Sequence, residues 1–466
     1  MKPISLQDVR RAIAGRSTQP LPKDNIFVSA VCTDSRDIRP DSLYIAIKGD
    51  RFDAHDFIVD AAEKGAIAAI VSTEPTAQLI GSLPKTFRLM VVADTRIALG
   101  KLAGHIRTTL RAKVVAVAGS NGKTGTKYLI NSVLSSRLKG SMSPKSFNND
   151  IGVPLAINAA EENHDYLVLE LGTNHLGEIS NLTKIAQPDI AVITNCTAEH
   201  LEFLGSVAGV RYENGCIIEK LNARGALIVN GDDADLLHTV AKYRGQKITF
   251  GFNQSNDLFA TDVQVDSRGV KFKLNGRADV YVPLLGKHSA LNALAAIAVG
   301  KKMRLADEEI IAALATATGP EMRLEMEDVH GVQLINDAYN ANPASMISAL
   351  ETLKCLSSTG RKIAVLGDML ELGQTGDQLH QQVGLMVGQC GLHLLMCVGK
   401  LGRHIGEAAI ASGVTRDRVQ YCDDADAAAA ALPELLRKGD IVLIKASRSI
   451  KLEKVAMALK ESSLLN

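Results

Sequence analysis

A strand that runs directly into a glycine-rich turn and then a helix stands out at residues 114–127 (VVAVAGSNGKTGTK). The apolar run ends at Ala118, and a helical pattern starts at about Thr124. Glycines let consecutive backbone N–H groups converge on an anion at the positive end of the helix. A lysine at this point can reach the β- and γ-phosphates, and a threonine hydroxyl can hold Mg²⁺. The segment therefore predicts a wound α/β domain that binds ATP with Mg²⁺.

The turn matches the short form of the phosphate-loop pattern. The general pattern has a glycine five residues before Gly122, where this chain has Val117. The alternative is an ordinary glycine-rich turn with a surface lysine, but the flanking strand, the helix and the Lys-Thr pair favour ATP binding. The predicted ATP-binding residues are Gly119, Ser120, Asn121, Gly122, Lys123, Thr124 and Gly125, with Thr124 also a Mg²⁺ ligand.

Apolar runs of strand length alternate with longer helical patterns over most of the 466 residues, which is typical of wound α/β sheets. This length suggests about three domains, and the turn-forming pair Gly319-Pro320 marks one boundary. We predict an α/β fold with three domains: a small N-terminal α/β domain at 1–90, a central ATP-binding domain with a mainly parallel sheet at 91–318, and a C-terminal Rossmann-like domain at 319–466.

Within the central domain the patterns predict buried strands at 165–172, 189–195 and 225–233, antiparallel strands within 250–285, and a helix at 288–302. Ligands in wound sheets bind beyond the carboxyl ends of the strands. Glu170 lies at such an end, and His200 follows the next strand. The bland alternatives are a helix-capping acid and a buried histidine, but the phosphate loop upstream favours metal binding. Glu170 and His200 are therefore predicted ligands of Mg²⁺ and of a second metal.

Composition limits the kinds of binding partner and the cellular compartment that we expect for this chain. The chain has 52 Lys and Arg against 51 Asp and Glu, so nothing favours a nucleic acid held by bulk charge. Its 7 cysteines form no CxxC pair, which argues against disulfides and structural zinc. No apolar run reaches the roughly 18 residues of a membrane span, and the N-terminus lacks a signal-peptide core. We expect a cytoplasmic monomer without a membrane span.

Eleven motifs occur in an order that resembles the Mur ligases of peptidoglycan synthesis, and they extend over nearly the whole chain. NDAYNANPASM and LGDMLELG are similar to the family member that adds D-alanyl-D-alanine, and the DNPR motif of the member that adds diaminopimelate is absent. The motifs are TDSR (33–36), DAHDF (53–57), GSNGKT (119–124), FNNDIGVP (147–154), LELGTNHLGEI (169–179), AEHLEFLGS (198–206), GKHSALNALAA (286–296), EMRLE (321–325), NDAYNANPASM (336–346), LGDMLELG (366–373) and KASRSIKLE (445–453).

The resemblance implies a three-domain ligase that joins D-alanyl-D-alanine to a UDP-N-acetylmuramoyl tripeptide through an acyl phosphate, releasing ADP and phosphate. Two alternatives stay open. One is another ligase of the Mur or folylpolyglutamate type, although TDSR and DAHDF argue against the folate member. The other is a non-catalytic nucleotide-binding regulator derived from such a ligase.

Motif by motif, the resemblance implies roles for individual residues. Lys123, His200 and Arg323 would act in catalysis, with Arg323 at the γ-phosphate. Each role has a structural alternative: a domain-boundary ion pair for Arg323 and Asp337, and a helix residue that satisfies the backbone for Asn292. For Asp34 to Arg36 the alternative is an ordinary Asx turn, and for Lys445 to Arg448 it is solvated charge at the start of a helix. The remaining assignments are Asn292 on the adenine side, Asp337 at the nucleotide, Asn148 and Asn149 near ATP or the muramoyl peptide, Asp34, Ser35 and Arg36 at the UDP-sugar, and Lys445, Ser447 and Arg448 at peptide carboxylates or the acyl phosphate.

One position departs from the family pattern. Many Mur ligases carry a lysine after the histidine motif that is carbamylated and helps to hold the second Mg²⁺. In this chain Asn214 occupies that place, and an amide can be neither carbamylated nor negatively charged. The adjacent Glu213 could supply a carboxylate, although neighbours on a helix point about 100° apart. The alternative is an alignment that slips by one residue.

Overall fold

The computed structural model of the protein describes residues 1–21, 26–50 and 52–462. In chain order, these residues form a five-stranded, a nine-stranded and a six-stranded sheet, together with a two-stranded ladder near the N-terminus. Helices cover the sheets, and most strand pairs are parallel. The predicted α/β fold class is confirmed.

The first sheet is parallel except at one edge. The predicted strand at 42–49 is shorter in the structure because the chain bends after Ile45 and pairs Lys48 with Asp53 in an isolated bridge. The elements are β1 (Ile4–Ser5), α1 (Leu6–Ile13), β2 (Arg16–Ser17), β3 (Phe27–Val28), β4 (Ala30–Cys32), β5 (Ser42–Ile45), α2 (Ile58–Glu63), β6 (Ala66–Val71), α3 (Ala77–Ser82) and β7 (Arg88–Val91), with the sheet order β2-β7-β6-β5-β4.

The second sheet has the order β16-β15-β14-β13-β12-β11-β8-β10-β9 and is parallel except among its last three strands in sequence, as the 250–285 pattern predicted. Its elements are α4 (Thr95–Thr109), β8 (Lys113–Ala118), α5 (Lys123–Ser135), β9 (Gly140–Met142), α6 (Gly152–Asn158), β10 (Tyr166–Glu170), α7 (Glu178–Ala186), β11 (Ile190–Ile193), α8 (Leu201–Leu204), α9 (Val207–Gly215), β12 (Ala226–Asn230), α10 (Ala234–Thr239), β13 (Gln246–Gly251), β14 (Leu258–Asp266), β15 (Gly269–Leu274), β16 (Ala278–Val282), α11 (His288–Lys302) and α12 (Asp307–Ala315).

Strand β8 lies between β10 and β11, and both pairs are parallel. All residues of these strands are apolar except Lys113 at the start of β8 and Glu170 at the end of β10. All except Lys113 are buried, because helices pack on both faces of this part of the sheet. Their carboxyl ends therefore meet at one edge. This arrangement brings the turn after β8, Glu170 and the segment that leads to His200 together.

The third sheet has the order β17-β18-β22-β19-β20-β21, with β17 antiparallel to β18 and the other pairs parallel. Its elements are β17 (Glu325–Val329), β18 (Val332–Asn336), α13 (Pro343–Cys355), β19 (Lys362–Gly367), α14 (Gly376–Gly388), β20 (Leu394–Val398), α15 (Gly402–Ala411), β21 (Val419–Cys422), α16 (Ala425–Leu435), β22 (Ile441–Lys445) and α17 (Glu453–Glu461).

The first sheet ends at Val91 and the third begins at Glu325. Both positions are compatible with the predicted domain limits 1–90, 91–318 and 319–466. The limits themselves stay a prediction. All seven cysteines are free thiols. No helix in the described ranges combines the length and the apolar character that crossing a bilayer requires.

Candidate functional site

The predicted phosphate loop lies between β8 and α5, and two of its glycines are required by its backbone. Gly119 and Gly122 have φ angles of 126° and 82°, which side-chain-bearing residues rarely adopt. A Cβ atom at Gly119 would collide with the hydroxyl of Thr194 on the neighbouring segment, and one at Gly122 would lie 2.5 Å from Asn292 Oδ1. The turn is therefore packed so closely that only glycine fits at these two positions.

Neighbouring segments fix the first part of the loop. The N–H groups of Gly119, Ser120 and Asn121 donate to Asn214 Oδ1 at 2.8 Å, Asn195 O at 2.8 Å and Asn195 Oδ1 at 3.0 Å. The N–H groups at the start of α5 have no partners within the helix and are left for an anion at its positive end. The loop thus has the geometry of a phosphate-binding site.

Lys123 begins helix α5, and its ammonium group folds back over the loop. Nζ donates to the carbonyl oxygens of Gly119 and Ser120, at 3.1 Å for the latter. Its cation therefore lies beside the N–H groups at the start of the helix. A triphosphate bound at the loop would meet this charge directly.

Two buried oxygen atoms at the loop fit a Mg²⁺ ion. Thr124 Oγ1 has no hydrogen-bond partner in the described part of the chain, and Glu170 Oε2 has only the ion pair with Lys127 Nζ at 3.3 Å, although both residues are almost fully buried. Unsatisfied buried polar atoms are costly unless something else binds them. No group of three or more His, Cys, Asp or Glu side chains capable of holding a metal occurs among the described residues. Mg²⁺ can bind at a site with so few protein ligands, because it keeps several waters and binds phosphate oxygens.

Glu170 is ionised although it is completely buried. Burial opposes its charge, but the cations of Lys127, Arg323 and Lys123 outweigh that effect and hold the pKa of Glu170 below its usual value. Lys127 Nζ lies 3.3 Å from Glu170 Oε2, and Asn148 Nδ2 donates to Oε1 at 3.0 Å. The site therefore presents a fixed carboxylate, the charge that a divalent cation needs.

His200 lies at the N-terminus of helix α8, where Nδ1 of its ring contacts the Glu371 carboxylate of the third domain. A carboxylate only accepts hydrogen bonds when it is ionised, so Nδ1 is the donor in this contact, and in the neutral tautomer that donates from Nδ1 the lone pair is on Nε2. Metal-binding histidines are commonly held in this way by a carboxylate. The arrangement fits the predicted role of His200 as a metal ligand.

The third domain contributes a cationic wall. The guanidinium of Arg323 lies 4.2 Å from the ring centroid of Tyr339, and that of Arg448 lies 5.7 Å from it on the same ring. Lys445 is buried and pairs with Asp337 at 2.7 Å. Burial lowers the pKa of Lys445, and the Asp337 carboxylate opposes that shift. These cations face the phosphate loop from the other domain.

Most predicted site residues line one cleft of about 1270 Å³ between the second and third sheets. Gly119 lies at the base of the loop, outside the lining. Asn292 also lines the cleft and contacts the loop, while its adenine contact stays a prediction. The predicted residues that line the cleft are Ser120, Asn121, Gly122, Lys123, Thr124, Gly125, Asn148, Asn149, Glu170, His200, Asn292, Arg323, Asp337, Lys445, Ser447 and Arg448.

Asp34, Ser35 and Arg36 lie outside this cleft, in the first domain. Asp34 accepts from the backbone N–H of Arg36 at 2.9 Å and from its guanidinium. The hydrogen bonds from Arg36 lower the pKa of Asp34 to about 2. The Asx-turn alternative is thus present in the geometry, and UDP-sugar binding by these residues stays a prediction.

The structure gives Asn214 and Glu213 roles that the sequence did not reveal. Asn214 is 1% exposed, and it accepts from Gly119 N–H and donates to Val210 O at 3.0 Å. The carboxylate of Glu213 accepts from the N–H groups of Gly177 and Ile179, both at 2.7 Å, at the start of α7. This geometry does not support the idea that Glu213 supplies the missing metal-binding carboxylate, because Glu213 faces the start of α7 and does not line the cleft described above. Its oxygens are already committed to backbone groups.

Replacing Asn214 with leucine should loosen the loop, because the buried N–H of Gly119 would lose its acceptor. We expect the free energy of unfolding to fall by about 1–3 kcal/mol, together with a higher KM for ATP. Urea titration and initial rates would measure both. Asn158→Leu is the matched control, since this buried amide has no hydrogen-bond partner within the described ranges. An unchanged KM in Asn214→Leu would contradict the assigned role.

Three residues at the site were not predicted from the sequence, although they lie in the segments described above. Lys127 follows the phosphate loop, Asn342 lies in NDAYNANPASM and Glu371 in LGDMLELG. Asn342 Nδ2 donates to Asn121 Oδ1 at 2.9 Å across the domain junction. Only the three-dimensional structure reveals these pairs, because the partners are far apart in sequence.

Comparisons with known proteins agree with this geometry. Three family models match: "Mur ligase family, catalytic domain" at residues 27–107, "Mur ligase middle domain" at 117–300 and "Mur ligase, glutamate ligase domain" at 322–448. A Bacillus subtilis protein called UDP-N-acetylmuramoyl-tripeptide--D-alanyl-D-alanine ligase is 36% identical over 462 residues, 99% of each chain. The chain belongs to the Mur ligase family. The predicted resemblance and the class of ATP-dependent ligases are confirmed.

Solved structures of the Mur ligase family have the same three-domain fold. MurF from Acinetobacter baumannii superimposes with a TM-score of 0.87 and 30% identity, covering 99% of this chain and 100% of that one. A MurF ligase from Thermotoga maritima in complex with ADP gives a TM-score of 0.80 and 27% identity, covering 93% of this chain and 97% of that one. The three-domain organisation is thus shared over the full length.

Proposed function

We propose that this Mur ligase joins D-alanyl-D-alanine to a UDP-N-acetylmuramoyl tripeptide, using ATP and releasing ADP and phosphate. The observation that carries the proposal is the cleft in which the phosphate loop of the central domain faces the cations of the third domain. A ligase needs this arrangement because a phosphoryl donor, a carboxyl group and an amine must meet. The Bacillus subtilis relative supports the choice of substrates through its name.

Phosphoryl transfer to the substrate carboxylate comes first, because a free carboxylate is a poor acceptor for an amine. Lys123 and the N–H groups at the start of α5 would bind the β- and γ-phosphates, and Arg323 would neutralise charge on the transferred group. Gly119 to Gly125 shape the loop around the nucleotide. Asn292 and Asp337 would contact the rest of ATP from opposite sides of the cleft.

Thr124 and Glu170 would hold Mg²⁺, and His200 would hold a second divalent cation, which together supply positive charge next to the phosphates. Asn148 keeps the Glu170 carboxylate in place through its hydrogen bond. Buried and preorganised groups of this kind act strongly on charge that develops during the reaction. The residues present therefore suit magnesium-ATP.

Amide formation follows when the amine of the dipeptide attacks the acyl phosphate. The nitrogen–carbon bond forms, the carbon–oxygen bond to phosphate breaks, and phosphate leaves with the bonding electrons while the amine loses a proton. Lys445, Ser447 and Arg448 would bind carboxylate or acyl-phosphate oxygens from the third domain. Contact between the domains excludes water from an intermediate that would otherwise hydrolyse.

The other end of the muramoyl substrate would lie toward the first domain. We propose that Asp34, Ser35 and Arg36 bind its UDP-sugar and that Asn149 lies near ATP or its peptide. Asn149 also accepts from the N–H groups of Ile151 and Gly152 at the start of α6. The cytoplasmic location and the monomeric state stay predictions.

A substrate-dependence assay tests the assignment. With UDP-N-acetylmuramoyl tripeptide, ATP and Mg²⁺ present, we expect ADP and phosphate to form with D-alanyl-D-alanine and not with diaminopimelate or glutamate. Release of phosphate and the mass of the product would be measured. Equal turnover with either other acceptor would refute the substrate assignment, and no turnover with any of them would favour a non-catalytic nucleotide-binding protein.

A further inference from the structure

Glu371 lies on a turn of the third domain that follows strand β19, and it reaches the central domain at His200. The turn is held by its own domain. The N–H of Met369 donates to His380 Nε2 at 2.8 Å, and the N–H of Leu370 donates to Ser447 Oγ at 2.9 Å. The carboxylate is therefore presented from a fixed backbone. Its partner on the other side is a ring that faces the nucleotide cleft.

The backbone around this contact is also specialised. His200 and Glu371 have φ angles of 47° and 61°, a left-handed conformation that is unfavourable for residues with a side chain. Such residues persist where the surroundings require them, commonly at functional sites. The N–H of Glu202 donates to the carbonyl of Glu371 at 3.3 Å, which joins the two segments directly. Two strained residues thus meet across the domain junction.

We propose that Glu371 is a positioning residue that fixes the tautomer and ring orientation of His200, so that the cation site at His200 is complete only when the third domain is docked. The inference rests on the proposed function for the nature of the cation. In chemical terms, the carboxylate keeps the proton on Nδ1 and leaves the Nε2 lone pair available to a metal. Ser447 supports this arrangement because its Oγ accepts a hydrogen bond from the N–H of Leu370, next to Glu371.

Cation binding can be measured without the acceptor substrate. Using the full chain with ADP, we would titrate Mn²⁺ and follow free Mn²⁺ by electron paramagnetic resonance. Glu371→Ala should weaken the Mn²⁺ site at His200 by about 10-fold or more, and Glu371→Gln by less, because its carbonyl still accepts from Nδ1. The matched control is Glu202→Gln, which removes a charge from the same interface and should change affinity by less than about twofold.

A double-mutant cycle separates positioning from a general structural role. In a His200→Ala background, Glu371→Ala should cause no further loss of Mn²⁺ affinity, because its target is already gone. Additive losses, or unchanged affinity in Glu371→Ala alone, would overturn the proposal. Circular dichroism of each variant would check that the fold is retained.

The tautomer itself gives a readout that needs no metal. ¹⁵N-labelled histidine spectra should show the proton of His200 on Nδ1 in the parent protein and a shift toward Nε2 in Glu371→Ala. Unchanged spectra would also overturn the proposal. Failure of the dipeptide assay would discard the substrate assignment, whereas these two measurements would still decide the role of Glu371.

Discussion

Replacing Lys123 with alanine is expected to lower turnover by at least about 100-fold while the fold stays intact. The ammonium group lies over the phosphate loop beside the N–H groups at the start of α5, where phosphate charge would accumulate. Truncation of the side chain to a methyl group removes the ammonium charge that would stabilise the transition state. The backbone of the loop should keep its conformation. Initial rates of phosphate release with saturating substrates would measure the loss.

Lys101→Ala is a suitable control for that experiment, because Lys101 is exposed on helix α4 and does not line the cleft. Its turnover should match that of the parent protein. Undiminished turnover in Lys123→Ala would remove the argument for ATP binding at the loop. A loss accompanied by unfolding would be visible in circular dichroism and would require the conservative variant Lys123→Gln.

Asp337→Ala should destabilise the protein by about 3–5 kcal/mol, since it leaves the buried charge of Lys445 without its anionic partner. The Lys445 and Asp337 side chains are only 3% and 11% exposed, and Asp337 also accepts from the N–H of Leu324 at 3.1 Å. Urea unfolding of the third domain, followed by circular dichroism, would measure the change.

The double variant Asp337→Leu with Lys445→Met provides the matched comparison. Two apolar side chains of similar size leave no buried charge, so most of the lost stability should return. ATP binding should not be restored in the double variant, because it lacks the two polar groups that face the cleft. A destabilisation below about 1 kcal/mol in Asp337→Ala would mean that water reaches the pair and screens it.

The fold followed closely from local patterns. Helix α11 begins at His288 and ends at Lys302, the residues that the sequence predicted. Its long alanine-rich run has a strong intrinsic helix preference, so tertiary packing had little to change. The strand predicted at 42–49 was shorter because a bridge between Lys48 and Asp53 redirects the chain, and no local pattern announces a bridge.

The site was predictable where function requires a local sequence. Gly119, Gly122 and Thr124 are recognisable because a phosphate needs a close backbone and a hydroxyl at fixed spacing. Asn214, Glu371 and the Lys127–Glu170 pair were not, because each depends on a partner from a distant part of the chain. The family pattern flagged Asn214 as a departure, but only the structure shows its hydrogen bond to the loop.

The hydrogen bond between Asn342 and Asn121 makes the phosphate loop sensitive to the position of the third domain. A small molecule that inserted between these two amides would spread the domains and pull on the turn that cradles the phosphates. An inhibitor wedged at this junction would therefore act by separating the domains as well as by filling part of the nucleotide cleft.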